Sequence, residues 1–373
     1  MKIPVLYQIE KSIRGVKNKV FRKKKKAPFR DVEAHRAILR KYKYIHVMNN
    51  GIHSIGILRF IQKYFDNDEH AFIFPVFRTE TQEKLADTEH VYHFYLTEIP
   101  WDTVDKVIFQ GLFTPSHIEY LYAHAEVLKK CYWFIWGGDL YREDTPEEAF
   151  VKKNFAGILT SFDYEVYKEK FGENKCFDVT YPHDVVEGML HDSEEPSPEK
   201  PVRVLVNNSA DETTLEMLDI LSRYKEENIE VHTILSYVSA NQKDMRLDIM
   251  YKGFTTFGLK FKPLMEFMSK EDYANFLNTM DIYISNQNRQ QGNGNAAFLC
   301  SLGKKIFTKA DTSVNIKYNS IGIRYFDTYS IPELTFEEFC HYDEEVKNET
   351  VKRLKYRMLE STKAKQWHDF FVS

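Results

Sequence analysis

The feature that most constrains this chain is an alternation. Short apolar runs at 44–48, 71–76, 91–95, 106–109, 132–136 and 157–160 are followed by others at 202–206, 231–237, 261–264, 282–285 and 305–308. Stretches with helical spacing lie between several of them, clearest at 54–65, 116–129, 214–224 and 273–280. Strands alternating with helices predict an α/β fold with mainly parallel sheets. The rhythm breaks at 186–200, which is acidic and carries Pro196 and Pro198. That stretch is expected to be an interdomain linker. The chain of 373 residues is long enough for two cores. The expected units are 44–185 and 201–335, with an extension at 1–43 and a helical segment at 336–373 that Trp367 and Phe370 anchor against a core.

Composition excludes several classes. Apolar residues make up 43% and charged ones 28%, the balance of a globular chain. No apolar run is long enough to span a bilayer, and no secretory leader pattern opens the chain. Cys131, Cys176, Cys300 and Cys340 are widely spaced, so buried thiols in a cytoplasmic protein are expected rather than a metal site. Charge is uneven. Residues 1–30 hold eight Lys and three Arg against Glu10 alone, a net +10, which leaves −14 for the rest of a chain of net −4. Val5, Ile9, Ile13, Val16 and Val20 share one helical face, and a basic run covers 22–26. This pattern suits an anionic membrane surface, with a solvated tail as the alternative. No base-reading motif accompanies the charge, so nucleic acid is not an expected partner.

In a parallel sheet, ligands bind beyond the carboxyl ends of the strands. In the first unit the polar punctuation there is Asn49, Asn50 and His53, then Gln110-Gly111, then Trp136 to Asp139. In the second it is Asn207, Asn208 and Ser209, then Ser236 and Tyr237, then 287–295. The last stretch places Arg289, Gln290, Gln291, Gly292, Asn293 and Gly294 between a strand and a helix start, a place to hold an anion. It is neither a dinucleotide fingerprint nor a Walker loop. Asp139 is a candidate base or sugar-hydroxyl ligand, or a helix cap. His53 is a candidate base or phosphate donor, or a structural histidine. Arg289 is read as a phosphate ligand over a surface ion pair. Asn208 and Ser209 contact the phosphate or the transferred group, or cap a helix. Trp136, at the end of its strand, is a candidate carbohydrate-stacking ring.

Three stretches carry a resemblance. They are Trp136-Gly137-Gly138-Asp139-Leu140-Tyr141, Asn208-Ser209-Ala210-Asp211 after a strand, and Arg289-Gln290-Gln291-Gly292-Asn293-Gly294. Together they resemble the TDP-N-acetylfucosamine:lipid II N-acetylfucosaminyltransferase family, glycosyltransferase family 56, over about 44–330. The resemblance implies a GT-B enzyme: two Rossmann-like domains whose parallel sheets face a central cleft. It implies a nucleoside-diphosphate sugar donor in the second domain and a polyprenyl-linked or glycan acceptor against the first, with no metal or other cofactor. Together with the strand-end reading it gives a candidate donor set of Asn208, Ser209, Asp211, Tyr237, Arg289, Gln290, Gln291, Gly292, Asn293 and Gly294. The candidate acceptor set is Asn50, Gly111, Trp136 and Gly138, and the candidate catalytic pair is Asp139 and His53. The setting it implies is bacterial cell-surface polysaccharide synthesis at the inner face of the plasma membrane, with a Fuc4NAc-like sugar. The chain departs from the family in residues 1–43 and at Gly138 and Asn293. Asn293 and Asn295 are the residues expected to choose the sugar. The alternatives are a nucleotide-sugar epimerase or polyol-phosphate polymerase on the same fold, and a non-catalytic membrane-surface adaptor.

Overall fold

The computed structural model describes residues 30–49, 52–75, 85, 88–182, 199–207, 211–236, 243–289 and 292–373, with backbone alone at 52, 53 and 243. The expected basic helix and most of the expected linker lie outside these residues. Among the described residues the strands form two sheets, each wholly parallel.

The first sheet contains β1 (Tyr44–Val47), β2 (His70–Ile73), β3 (Val91–Tyr92), β4 (Lys106–Gln110), β5 (Cys131–Phe134), β6 (Gly157–Leu159) and β7 (Cys176–Phe177). Their spatial order is β3-β2-β1-β4-β5-β6-β7. Helices α1 (Val32–Leu39), α2 (Ile52–Tyr64), α3 (Pro115–Ala123), α4 (Gly138–Tyr141), α5 (Pro146–Lys153) and α6 (Tyr164–Phe171) accompany it. The second sheet contains β8 (Val202–Val206), β9 (Ile229–Ile234), β10 (Phe261–Leu264), β11 (Ile282–Ser285), β12 (Lys305–Thr308) and β13 (Phe326–Asp327), in the order β10-β9-β8-β11-β12-β13. Its helices are α7 (Glu212–Leu221), α8 (Lys243–Phe257), α9 (Lys270–Asn278), α10 (Asn293–Ser301) and α11 (Ser313–Ser320). The chain ends in α12 (Phe336–Cys340), α13 (Glu344–Met358) and α14 (Glu360–Phe371).

The continuous apolar runs exist because both faces of each sheet are covered. Side chains alternate between faces along a strand. Ile45, Val47, Phe109 and Trp133 thus enter one core of the first sheet, and Tyr44, Phe72, Ile108 and Phe134 the other. Val204, Val206 and Ile284 likewise separate from Leu205 and Tyr283 in the second sheet.

The strand order reverses once in each sheet, between β1 and β4 and between β8 and β11. At both points the strands end in register, Val47 beside Phe109 and Val206 beside Ile284. The loops beyond these ends diverge and leave a crevice.

The C-terminal helices tie the halves together. Leu354 and Met358 of α13 pack on the second domain, whereas Trp367, Phe370 and Phe371 of α14 are buried on the first sheet. Lys106 Nζ donates to the carbonyls of Phe371 at 2.8 Å and Ser373 at 3.1 Å, and Tyr44 Oη to Phe371 O at 3.0 Å. A cation on the last carbonyls of a helix complements its dipole. Burying three aromatic side chains contributes roughly 1.5–3 kcal/mol each, more than the polar contacts at the helix end.

Candidate active site

At the second switch point the backbone is held from three sides. Asn207 adopts a left-handed φ of +51°, which Asn tolerates better than most residues. Its side chain joins the two loops. Oδ1 accepts from Asn286 N at 2.8 Å, and Nδ2 donates to Thr213 Oγ1 at 3.0 Å and Thr214 Oγ1 at 2.9 Å. The next three side chains are each anchored to a different element. Asn286 Nδ2 donates to Glu216 at 2.9 Å, Gln287 Nε2 to Asp211 at 2.9 Å, and Lys309 Nζ to Asn288 Oδ1 at 2.7 Å. Arg289 follows this pinned run and is exposed. Gly292, at φ +66°, then starts α10 with no described side chain capping it. Among the described residues a Cβ on Gly294 would meet nothing within 4 Å, so the first turn of α10 is open on that side. The positive end of the helix dipole and one guanidinium beside it make a place for an anion.

The first switch point is built the same way. Asn49 Nδ2 donates across to the carbonyls of Gln110 and Gly111, the latter at 3.3 Å. Gly111 has φ +76°, and a Cβ there would stand 2.8 Å from Asn49 Nδ2 and 2.6 Å from the Phe113 ring, so only glycine fits. Phe113 is 40% exposed and meets Trp136 edge to face at 6.3 Å; Trp136 meets Tyr181 the same way at 5.7 Å. These rings wall the first-domain side of the site.

Asp139 is fully buried behind that wall. Its Oδ2 accepts from Trp133 Nε1 at 2.7 Å and Leu112 N at 2.9 Å, and its Oδ1 from Trp136 N at 3.0 Å. Burial pushes its carboxyl up, and the Trp133 indole and the two amides pull it back. Lys152 and Lys170 hold the carbonyls of the same turn: Lys152 Nζ donates to Asp139 O at 2.5 Å, and Lys170 Nζ to Leu140 O at 2.6 Å and Arg142 O at 2.9 Å. Asp139 therefore shapes the turn around Gly138 and offers no oxygen to an acceptor hydroxyl.

The two half-sites meet. Arg289 Nη1 lies 3.7 Å from the position a Cβ on Gly138 would occupy. Tyr141 Oη, at the end of α4, lies 3.2 Å from Ser313 Oγ of the second domain.

The structure thus brings Gly111, Trp136 and Gly138 together through Phe113 and sets Arg289 against them, with Gly292, Asn293 and Gly294 following Arg289 at the start of α10. Three expectations change. Asp139 is a buried fastener, because three donors surround its carboxylate. Asp211 is a loop clamp and cap rather than an open donor ligand: Oδ1 accepts from Thr213 Oγ1 at 2.6 Å and Thr214 N at 3.3 Å, and Oδ2 from Gln287. Asn295, expected to face the sugar, donates to Tyr273 Oη at 2.7 Å. Asn50, Asn208, Ser209, Tyr237, Gln290 and Gln291 lie outside the described residues, and of His53 only the backbone is described, in the first turn of α2. Asn49 and Asn207, expected among the ligand-facing residues at the strand ends, hold neighbouring loops instead, and Asn286 and Lys309 were not singled out. The available signal was the Asn-Asn pair that follows both β1 and β8. Among the described residues no three His, Cys, Asp or Glu side chains gather as a metal site.

Comparison with known proteins agrees with this geometry. A glycosyltransferase from Rickettsia africae superimposes with a TM-score of 0.63 at 11% identity, over 89% of this chain and 98% of that one. Anabaena HepE, solved with UDP and glucose, gives 0.61 at 11% identity, over 89% and 99%. The UDP-forming alpha,alpha-trehalose-phosphate synthase of Burkholderia vietnamiensis gives 0.55 at 9%, over 89% and 96%. At these identities the likeness is one of fold, and the fold is GT-B. The family model described as 4-alpha-L-fucosyltransferase, glycosyl transferase group 56, matches residues 45–310. The chain belongs to that family and is a hexosyltransferase-type glycosyltransferase.

Proposed function

We propose that this glycosyltransferase takes a sugar from a nucleoside diphosphate held at the second switch point and passes it to a hydroxyl of a lipid-linked or glycan acceptor lying against the first. The observation that carries the reading is exposed Arg289 at the start of α10, facing the Gly138 turn of the other domain. As the bond from sugar to diphosphate breaks, negative charge grows on the leaving oxygens. Arg289 and the α10 amides, fixed in place beforehand, stabilise that charge without a metal. HepE, with UDP and glucose in its complex, supports the same class of donor here.

With Asp139 enclosed, His53 becomes the candidate base. It stands in the first turn of α2, directly after the β1 switch point. Phe113 and Trp136 supply apolar faces for a sugar ring of the acceptor. By the family resemblance the transferred sugar is of the 4-acetamido-4,6-dideoxygalactose type and the product enters a bacterial cell-surface polysaccharide. No helix of the described residues is long and apolar enough to cross a membrane. Residues 1–30, with their net +10, are proposed to bring the enzyme to the anionic inner face of the plasma membrane, where a polyprenyl-linked acceptor resides.

A thermal-shift panel of nucleoside diphosphates and their sugars tests the reading. A ligand that binds only the folded state raises the melting temperature. At least one diphosphate is expected to do so, with a smaller shift for Arg289→Ala. No shift with any of them would overturn the donor assignment.

A further inference from the structure

Asp163 lies just beyond the carboxyl end of β6, at the N-cap position of α6. An Asp there ordinarily accepts from the first amides of its own helix. Asp163 makes no such cap. Its Oδ1 accepts instead from Tyr141 Oη at 2.9 Å and from Ser313 Oγ at 2.8 Å, two hydroxyls that are themselves 3.2 Å apart. The side chain is fully buried, and its backbone N–H is held by Thr160 Oγ1 at 3.1 Å. One carboxylate oxygen thus joins the end of α4 to the start of α11, and with them the two domains.

We propose that Asp163, Tyr141 and Ser313 form a latch that sets the closed relation of the two half-sites, making Asp163 a positioning residue for transfer. The proposal rests on the glycosyl-transfer reading and deepens it. Tyr141 closes the same short helix that begins at Gly138, the residue facing Arg289. Burial, and after it the Asp163 charge, hold the Tyr141 phenol above its ordinary value. α11 carries further contacts between the domains. Lys317, one turn beyond Ser313, pairs with Asp178 at 3.1 Å, and Tyr318 meets Phe162 edge to face at 5.1 Å. Arg357 of α13 pairs with Asp178 at 2.9 Å. Asp178 is 44% exposed, so its pairs are screened by water, whereas the Asp163 bonds are dry and charge-assisted. The dry set is the one that fixes the angle between the domains. Arg289 reaches its place over Gly138 only when that angle is held.

The test compares Ser313→Ala, Ser313→Thr and Asp163→Asn with the unmodified full chain. Three quantities are read: turnover, the Kd of UDP and of TDP by calorimetry, and the radius of gyration by solution scattering. Ser313→Ala is expected to lower kcat by about tenfold or more, the cost of a misplaced reacting pair. Its diphosphate Kd should stay within about twofold, because the α10 site lies wholly in one domain. Its radius of gyration should rise, and Ser313→Thr, which keeps the hydroxyl, should restore both. Asp163→Asn should follow Ser313→Ala. An unchanged kcat, or a scattering curve identical to that of the unmodified protein, would overturn the latch. If the unmodified protein transferred no sugar from any nucleotide, the glycosyl-transfer reading would fall, and scattering, which needs no substrate, would decide the latch alone.

Discussion

Arg289 of the second domain faces Gly138 of the first, with Nη1 3.7 Å from where a Cβ on Gly138 would stand. The Phe113 ring is 3.5 Å from the same point. These are ordinary contact distances, so one methyl group fits and a longer side chain does not.

Gly138→Ala should therefore keep the fold and most of the turnover. Gly138→Leu should drive Arg289 and Phe113 aside and lower turnover by about a hundredfold, the scale of a misplaced charge-stabilising donor. Steady-state kinetics of the two variants check this. Equal activity in Ala and Leu would show that the cleft is open at Gly138.

Asp139→Asn should act through stability first. The carboxylate accepts from Trp133, Leu112 and Trp136, and an amide presents one acceptor oxygen and a surplus N–H to the same three donors. The expected cost is about 2–4 kcal/mol by urea denaturation. A variant as stable as the parent but inactive would return Asp139 to the chemistry.

The C-terminal helix should be acid-labile. His46 Nε2 and His70 Nδ1 are 3.1 Å apart, and the His70 ring lies against Phe371 of α14 at 4.7 Å. Burial pushes His46 well below the ordinary histidine value and His70 down to about 3. A lowered folded-state value gives stability that is present above the free value, near 6.5, and lost as pH falls toward the folded value. For His70 the window runs from about 6.5 to about 3. His70→Phe keeps an aromatic ring and removes the proton site. Between pH 7 and 4.5 it should lose about 2–3 kcal/mol less than the unmodified protein. Paired urea titrations at the two pH values read the difference, and equal losses would contradict it.

Much of this fold was legible, for a physical reason. Strands buried on both faces are continuous apolar runs, and 202–206, 261–264, 282–285 and 305–308 became β8, β10, β11 and β12 with those bounds. β7 and β13 are two-residue strands at sheet edges and were not read, whereas the equally short edge strand β3 lies within the apolar run 91–95. Trp367 and Phe370 were legible as anchors, but an apolar helix face does not say which core it enters. They enter the first domain's. The candidate site was read from polar punctuation at strand ends. What could not be read was which polar residues face a ligand and which face each other. Asn49 and Asn207 bind neighbouring loops, and Asp139 is enclosed by donors from Leu112 and Trp133 that its own motif does not contain. Residue type is the same in both roles; only burial separates them.

The central claim is that Arg289 and the start of α10 stabilise a leaving diphosphate. The most direct measurement is the turnover of Arg289→Ala on the nucleotide sugar that the thermal-shift panel selects, with folding confirmed by its melting curve. The account predicts a loss of about 2–4 kcal/mol of transition-state stabilisation, roughly 30- to 900-fold in kcat. Unchanged turnover in a folded variant would contradict it.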